Sequence, residues 1–388
     1  MTPAAAGDSS SPEAKAGHQH KHLRIAVIHP DLGIGGAERL IVDVSCQLTA
    51  AGHNVHVFTL HHTNTRCFEE TVCYYEMVLG KWCISVNQIE LFNHQVSVST
   101  TILPLRNPHH QRLYFIATSN HTTILWKLYR RPIDMIEEVT TGMADLILAN
   151  SKFTASTFSS TFHGLHARGI KPAVLYPAVS VEQFDEPRAY KLNFLSINQF
   201  ERKKNLDLAI SAFALLHSVG SMPSSDGVHE ATLTIAGGYD KRLKETVEHL
   251  EELRRLAVTE EVSDQVTFVT SCSTSERNEL LSNCLCLTHS KDEHFGIVPL
   301  EAMAAKKPVI ACNSGGPVET VINELTGFLC EPSAIEFSKA MSRLVNDPDL
   351  AIRMGKEARN HVVHKFSTMI FGDLLNSYIL NVYHQRIE

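Results

Sequence analysis

The chain reads as an α/β protein made of two doubly wound domains that face a cleft. Three observations lead there. Short apolar runs of buried-strand type recur along the sequence, each followed by a polar or glycine-bearing break and then a stretch with apolar residues at helical spacing. The alternation starts twice, at Leu23 and again at Phe194. The length, 388 residues, suits two domains of about 100–200 residues each.

The elements follow in order. Residues 23–29 form a short apolar strand, broken by Pro30 to Gly36. A helix then places Leu40, Ile41, Val44 and Leu48 on one stripe. The strand at 55–59 closes a βαβ unit, which implies a parallel sheet covered by helices. Residues 145–149 and 173–176 read as further strands, the second ending at Pro177. The second series begins with a strand at 194–197, and Leu206, Ala209, Ile210, Phe213 and Leu216 mark its first helix. Strands at 231–236, 265–269, 285–287 and 308–311 continue it. The expected organisation is a solvated tail over 1–22, a first domain over 23–185 and a second over 186–388, with room for the last helix to cross back. From about residue 71 to 119 the periodicity fades, and 107–112 reads as loop.

Composition excludes several classes. A net charge of -7 argues against a nucleic-acid partner, because phosphate backbones select basic surfaces. No apolar run reaches the ~20 residues of a bilayer-spanning helix, and residues 1–22 lack the apolar core of a secretion signal. Nine cysteines without CxxC spacing indicate free thiols in a reducing compartment. The Asn120-His121-Thr122 sequon is accordingly taken as chance.

Three loops carry chemistry. Between the first strand and helix, Gly33, Gly35 and Gly36 would let backbone amides approach an anion at a helix N-terminus; a tight turn without ligand is the alternative. A dinucleotide-dependent oxidoreductase is the rival at the level of fold. It is disfavoured because the third glycine of that fingerprint would fall at Glu38, and by Glu293 and Glu301. The second loop, 291–302, follows a strand and leads into a helix with Pro299 in its first turn. The amides of Phe295, Gly296 and Ile297 would face the cleft, flanked by Glu293 and Glu301; otherwise Glu301 only complements the helix dipole. In the third loop, Arg202, Lys203 and Lys204 follow a strand and could neutralise a diphosphate, or form a solvated charge run. The turns at Gly237-Gly238 and Gly315-Gly316 read as structural. Asp347-Pro348-Asp349 is placed in a late polar turn and not taken as a metal site. Together the loops point to a nucleoside-diphosphate ligand.

Glu293 and Glu301 match the E-x7-E pattern of retaining glycosyltransferases of the GT-B architecture. With residues 29–39, 129–134, 201–205 and 293–301, the set resembles the α1,3/1,6-mannosyltransferases of asparagine-linked glycosylation, in their plant version. The likeness covers residues 23–70 and 122–388. It implies a GT-B fold of two Rossmann-like domains and transfer of mannose from GDP-mannose to a dolichol-diphosphate-linked Man-GlcNAc2 oligosaccharide. The site would be the cytosolic face of the endoplasmic reticulum membrane, beside other glycosyltransferases of the pathway, with neither cofactor nor metal required. Carried over, Gly35 and Gly36 would lie against the donor phosphates, Lys204 would pair with the diphosphate, Glu293 would hold the donor sugar and Glu301 the ribose.

The chain departs from that family twice. Gln199 stands where the family has an arginine that shares the diphosphate, and Arg202 is expected to take part of its place. Residues 71–121 lack the family's apolar segment and its Phe-Tyr-Cys-His-Phe-Pro-Asp motif. The bases TTTTATTGCCACTTCC encode Phe-Tyr-Cys-His-Phe in one frame and Phe-Ile-Ala-Thr-Ser, the residues 115–119, in the next. The segment therefore reads as a frameshifted or mis-spliced version that would leave the first domain short of a core strand. A catalytically impaired relative that still binds nucleotide sugar or partner subunits is the alternative function.

Overall fold

A computed structural model describes residues 22–30, 32, 35–59, 62, 67–68, 70–71, 100–104, 113–115, 134–184, 190–219, 226–289 and 293–385. Two six-stranded sheets organise it, each flanked by helices.

The first sheet runs β2-β1-β3-β4-β5-β6. Its strands are β1 (Arg24–Ile28), β2 (Asn54–Phe58), β3 (Thr100–Pro104), β4 (Leu113–Phe115), β5 (Leu146–Ala149) and β6 (Ala173–Val174). Helix α1 (Gly36–Ala50) connects β1 to β2 and buries Leu40, Ile41, Val44 and Leu48 against Ile25 and Val27, the stripe its spacing predicts. A helix over 134–141, α2, precedes β5, and α3 (Lys152–Thr161) and α4 (His163–Ala167) follow it. Two expectations are corrected. The stretch of faded periodicity supplies β3 and β4, so the first domain is not short of strands. Moreover β3 pairs antiparallel with both β1 and β4, which makes this sheet mixed. Both strands are short, and alternation over three to five residues is too brief a signal to separate from loop. The expected loop at 107–112 and the Tyr129–Ile133 part of the family motif lie outside the described residues.

The second sheet is wholly parallel, in the order β12-β11-β10-β7-β8-β9. Its strands are β7 (Asn193–Ile197), β8 (Thr232–Gly237), β9 (Val266–Thr270), β10 (Cys286–His289), β11 (Val309–Cys312) and β12 (Gly327–Cys330). The helices between them are α5 (Leu206–Val219), α6 (Asp226–His229), α7 (Lys244–Thr259), α8 (Thr274–Asn283), α9 (Ile297–Ala304), α10 (Pro317–Thr320) and α11 (Ala334–Asn346). Both faces are covered. Along β7, Phe194 enters the core with Phe213 and Ile235, while Leu195 and Ile197 enter the opposite core with Leu287 and Leu300. Each such fully buried side chain contributes on the order of 1.5–3 kcal/mol.

Helix α12 (Pro348–Lys365) belongs to the second half, with Ala358 and Val362 in its core. Asp347-Pro348-Asp349 is not a turn but the start of this helix: Asp347 accepts from the Leu350 amide at 3.0 Å and Pro348 occupies its first position. Helix α13 (Thr368–His384) returns to the first half, where Phe371, Leu375 and Ile379 complete the core around α1. The two passages of chain between the halves touch, the Val179 amide donating to the Phe366 carbonyl at 2.9 Å. Among the described residues no helix is long and apolar enough to cross a membrane.

Candidate functional site

In the second sheet the chain runs outward from β7 through β8 to β9, then returns to place β10 on the other side of β7. Between β7 and β10 the strand order reverses, and crevices at the carboxyl ends of such strands are where open α/β sheets bind ligands. The loop after β7 carries Gln199, Arg202 and Lys204, and the loop after β10 carries Glu293 to Gly296. Topology thus brings together residues 89 positions apart, and Lys204 Nζ lies 2.6 Å from Glu293 Oε2.

Arg202 goes elsewhere. Residues 202–204 form a 3-10 turn, with about three residues per turn, so Arg202 and Lys204 point to different sides. Arg202 reaches Glu252 on α7 at 2.6 Å, and Glu248 beside it, on the outside of the domain. These carboxylates hold its pKa up, the hydrogen bond to Glu252 foremost. The expectation that Arg202 takes the missing arginine's place is therefore not met in this arrangement. Gln199 is exposed, packed over Gly238.

The loop after β10 is shaped for an anion. Gly296 caps α9 with φ 78, a left-handed conformation that favours glycine. The amides that open α9, from Ile297 onward, have no acceptor within the helix. Phe295 faces inward, its ring stacked on Tyr176 at 5.9 Å and packed near Phe366, which fixes the loop from behind. The His294 ring meets Phe153 edge-on at 5.8 Å, and burial lowers its pKa.

Glu301 lies in the second turn of α9 and does more than complement the helix dipole. Its carboxylate is buried, with Oε1 3.0 Å from Arg277 of α8 and Oε2 without a partner among the described residues. Burial raises its pKa, and the charges of Arg277 and of Arg39 pull it back. Arg39 comes from α1 of the first half, held by Asp43 at 2.6 Å and Glu70 at 2.7 Å. Next to it, Gly35 caps α1 and Gly36 leaves open space where a Cβ would stand. Gly33, the third glycine of this loop, lies outside the described residues. Among the described residues no group of three or more His, Cys, Asp or Glu converges to hold a metal ion. The ligating groups here suit an anionic ligand rich in hydroxyls: one lysine, helix-terminal amides and two carboxylates.

Sequence reasoning missed three contributors. Arg277 sits on a helix whose sequence signature is the Ser273–Glu276 capping box, which signals a helix start and no ligand, 24 residues from the glutamate it holds. Ser151 Oγ donates to the His294 carbonyl at 2.7 Å, and Glu319 accepts from the amides of Lys152 and Phe153, both at 2.8 Å. These contacts span about 140–170 positions, beyond what local spacing can reveal.

Residues 182–361 match the family Glycosyl transferases group 1. The chain is 38% identical to the Alpha-1,3/1,6-mannosyltransferase ALG2 of Mus musculus over 400 aligned positions, covering 92% of this chain and 95% of that one. The Homo sapiens protein of the same name gives the same figures, and that of Dictyostelium discoideum is 36% identical over 92% and 98%. Among solved structures, a glycosyltransferase from Rickettsia africae superposes with a TM-score of 0.63 at 17% identity, over 93% of this chain and 97% of that one. Sucrose-phosphate synthase from Thermosynechococcus elongatus gives 0.61 at 20% identity, over 93% and 98%. These two establish the fold, which is GT-B.

Proposed function

Because the chain belongs to the α-1,3/1,6-mannosyltransferase family, we propose that it moves mannose from GDP-mannose to dolichol-diphosphate-linked Man-GlcNAc2, with retention at the anomeric carbon. The observation that carries this reading is the meeting of Lys204 and Glu293 at the reversal of strand order, with the helix that follows Glu293 carrying a buried Glu301 with one oxygen unpartnered among the described residues. An acceptor hydroxyl attacks the anomeric carbon on the face from which the diphosphate departs, and its proton passes to the departing phosphate oxygen, so the configuration is retained. Negative charge grows on the leaving GDP, where Lys204 and the amides opening α9 stabilise it. Glu293 holds hydroxyls of the mannose, and Glu301 those of the ribose. Both α1,3 and α1,6 linkages are made in this reading, on the cytosolic face of the endoplasmic reticulum membrane, in company with other glycosyltransferases and without a metal ion.

Incubation of the purified protein with GDP-mannose and the lipid-linked acceptor tests it. The expected products are one- and two-mannose extensions with α-anomeric NMR signals, formed equally well in EDTA. Donor binding without any product would instead favour a nucleotide-sugar-binding relative that has lost transfer, the reading suggested by Gln199 in place of a cation. Absence of both binding and product, from folded protein, would overturn both.

A further inference from the structure

Glu319 sits in α10, just after the Gly315-Gly316 turn, and none of the nucleotide-sugar ligation just described uses it. Its carboxylate crosses to the first half of the molecule and accepts from two successive amides, Lys152 at 2.8 Å and Phe153 at 2.8 Å, that open α3. A carboxylate is well placed there, since a helix N-terminus carries unsatisfied donors and partial positive charge. The Tyr176 hydroxyl donates to the same carboxylate at 2.9 Å.

The segment that carries Glu319 is fixed to the loop after β10. The Gly316 amide donates to the Glu293 carbonyl at 2.8 Å. A Cβ on Gly315, whose φ is 65, would collide with the Glu293 carbonyl, and one on Gly316 with the backbone of Phe295. A further bond ties α3 directly to this loop: Ser151, which caps α3 by accepting from the Thr154 amide, donates its hydroxyl proton to the His294 carbonyl. Tyr176 closes the arrangement, stacking on Phe295 while it bonds Glu319.

We propose that Glu319 is a positioning residue for transfer: by gripping the opening amides of α3 it sets the first half of the molecule in register with the loop Glu293–Phe295, and so aligns acceptor with donor. This rests on the transferase reading for what is aligned, though the contact itself does not. Loss of alignment is expected to slow the chemical step, since small misplacements of reacting groups cost orders of magnitude. It should leave most of the donor affinity in place, because Lys204, Glu293 and Glu301 belong to the second half and only Gly35 and Gly36 would reach the donor from the first.

The test uses the full chain with Glu319→Ala and Glu319→Gln. For Glu319→Ala, kcat for transfer is expected to fall about tenfold or more, with the GDP-mannose Kd within about twofold of wild type. Glu319→Gln, which keeps one acceptor oxygen for one amide, should recover part of the loss. Hydrogen exchange gives a readout that needs no transfer: the Lys152 and Phe153 amides should exchange faster in both variants, with the rest of α3 unchanged. Unaltered kcat in Glu319→Ala would overturn the proposal. So would a loss of donor affinity parallel to the loss of rate, which would make Glu319 a support of the donor loop only. Should wild type itself fail to transfer mannose while exchange at Lys152 and Phe153 responds as expected, the activity reading would fall and the contact would stand.

Discussion

Lys204 Nζ lies 2.6 Å from Glu293 Oε2, so the cation expected to meet the donor's diphosphate is balanced by the carboxylate expected to hold its sugar. In the proposed binding mode the donor competes with the pair for both groups. Lys204→Ala is expected to lower kcat about 10²–10³-fold, the usual loss for one electrostatic stabiliser of a developing charge. Glu293→Gln should abolish transfer yet bind GDP as tightly as wild type or more so, because Lys204 no longer has a competing anion. Calorimetric titration with GDP, alongside initial rates, reads both; GDP affinity falling in Glu293→Gln would refute the competition.

Arg277 and Glu301 make the site sensitive to acid. Burial raises the Glu301 pKa, and Arg277 is the first of the groups that lower it. In the proposed mode Glu301 holds the ribose as a carboxylate, so donor affinity is expected to weaken as pH falls through that pKa. Arg277→Met removes the opposing charge and should move this acid limb to higher pH, with a larger loss of donor affinity at pH 6 than at pH 8. A loss equal at all pH values would mean that Arg277 acts only through packing.

Gln199→Arg is expected to raise kcat/KM. The side chain is exposed and packed over Gly238, leaving room for a longer one, while Arg202 is engaged by Glu252. One charged hydrogen bond to the diphosphate is worth about 1.5–3 kcal/mol, or about ten- to a hundredfold in rate. An unchanged rate would show that the loop after β7 already neutralises its ligand.

Lys307 carries a stability prediction. It is fully buried between Cys284, Cys286 and the ring of Tyr190, whose centroid is 3.7 Å from Nζ, and burial lowers its pKa to about 8. A folded pKa below the unfolded value means the unfolded chain binds the extra proton more readily, so stability from this group rises with pH between about 8 and 10.4. Lys307→Met is expected to raise Tm at pH 7 and to show a smaller advantage at pH 10. A constant difference between the two proteins across that range would contradict it.

The segment 71–121 invites a check on nucleic acid. Sequencing the transcript across codons 66–122 should reveal a reading frame or splice that restores the Phe-Tyr-Cys-His-Phe-Pro-Asp motif. A transcript encoding the present residues in frame would end the idea, and the strands at 100–104 and 113–115 would then be the protein's own way of filling its sheet.

The second half was largely legible from sequence, because its strands are buried on both faces and read as continuous apolar runs. Even there β12 escaped, four residues beginning with a glycine. Lys204 and Glu293 could be named in advance because each lies in a loop following a strand and matches a family motif; that the two loops meet where the strand order reverses is visible only in the fold. Arg277 and Glu319 could not. Their partners lie outside their own elements, Glu301 for Arg277 and the opening amides of α3 with Tyr176 for Glu319, and an arginine on a polar helix or an acid in a short one looks the same with or without such partners. The antiparallel β3 was lost for a different reason: its pairing depends on which neighbours the sheet offers, not on its own five residues.

The return of α13 to the first half has a mechanical consequence. Two passages of backbone join the halves, and they are bonded to each other where Val179 meets Phe366 and Ser367. A single tether would let one half swing in any direction, whereas paired tethers at one place leave rotation about their common line as the softest motion. Opening far enough to exchange GDP for GDP-mannose would then follow one arc, with the contacts of Ser151 and Glu319 released together at its far side. It also makes α13 indispensable to a half that lies hundreds of positions upstream. Deleting it would strip the core around α1 while leaving every proposed donor ligand of the second half in place.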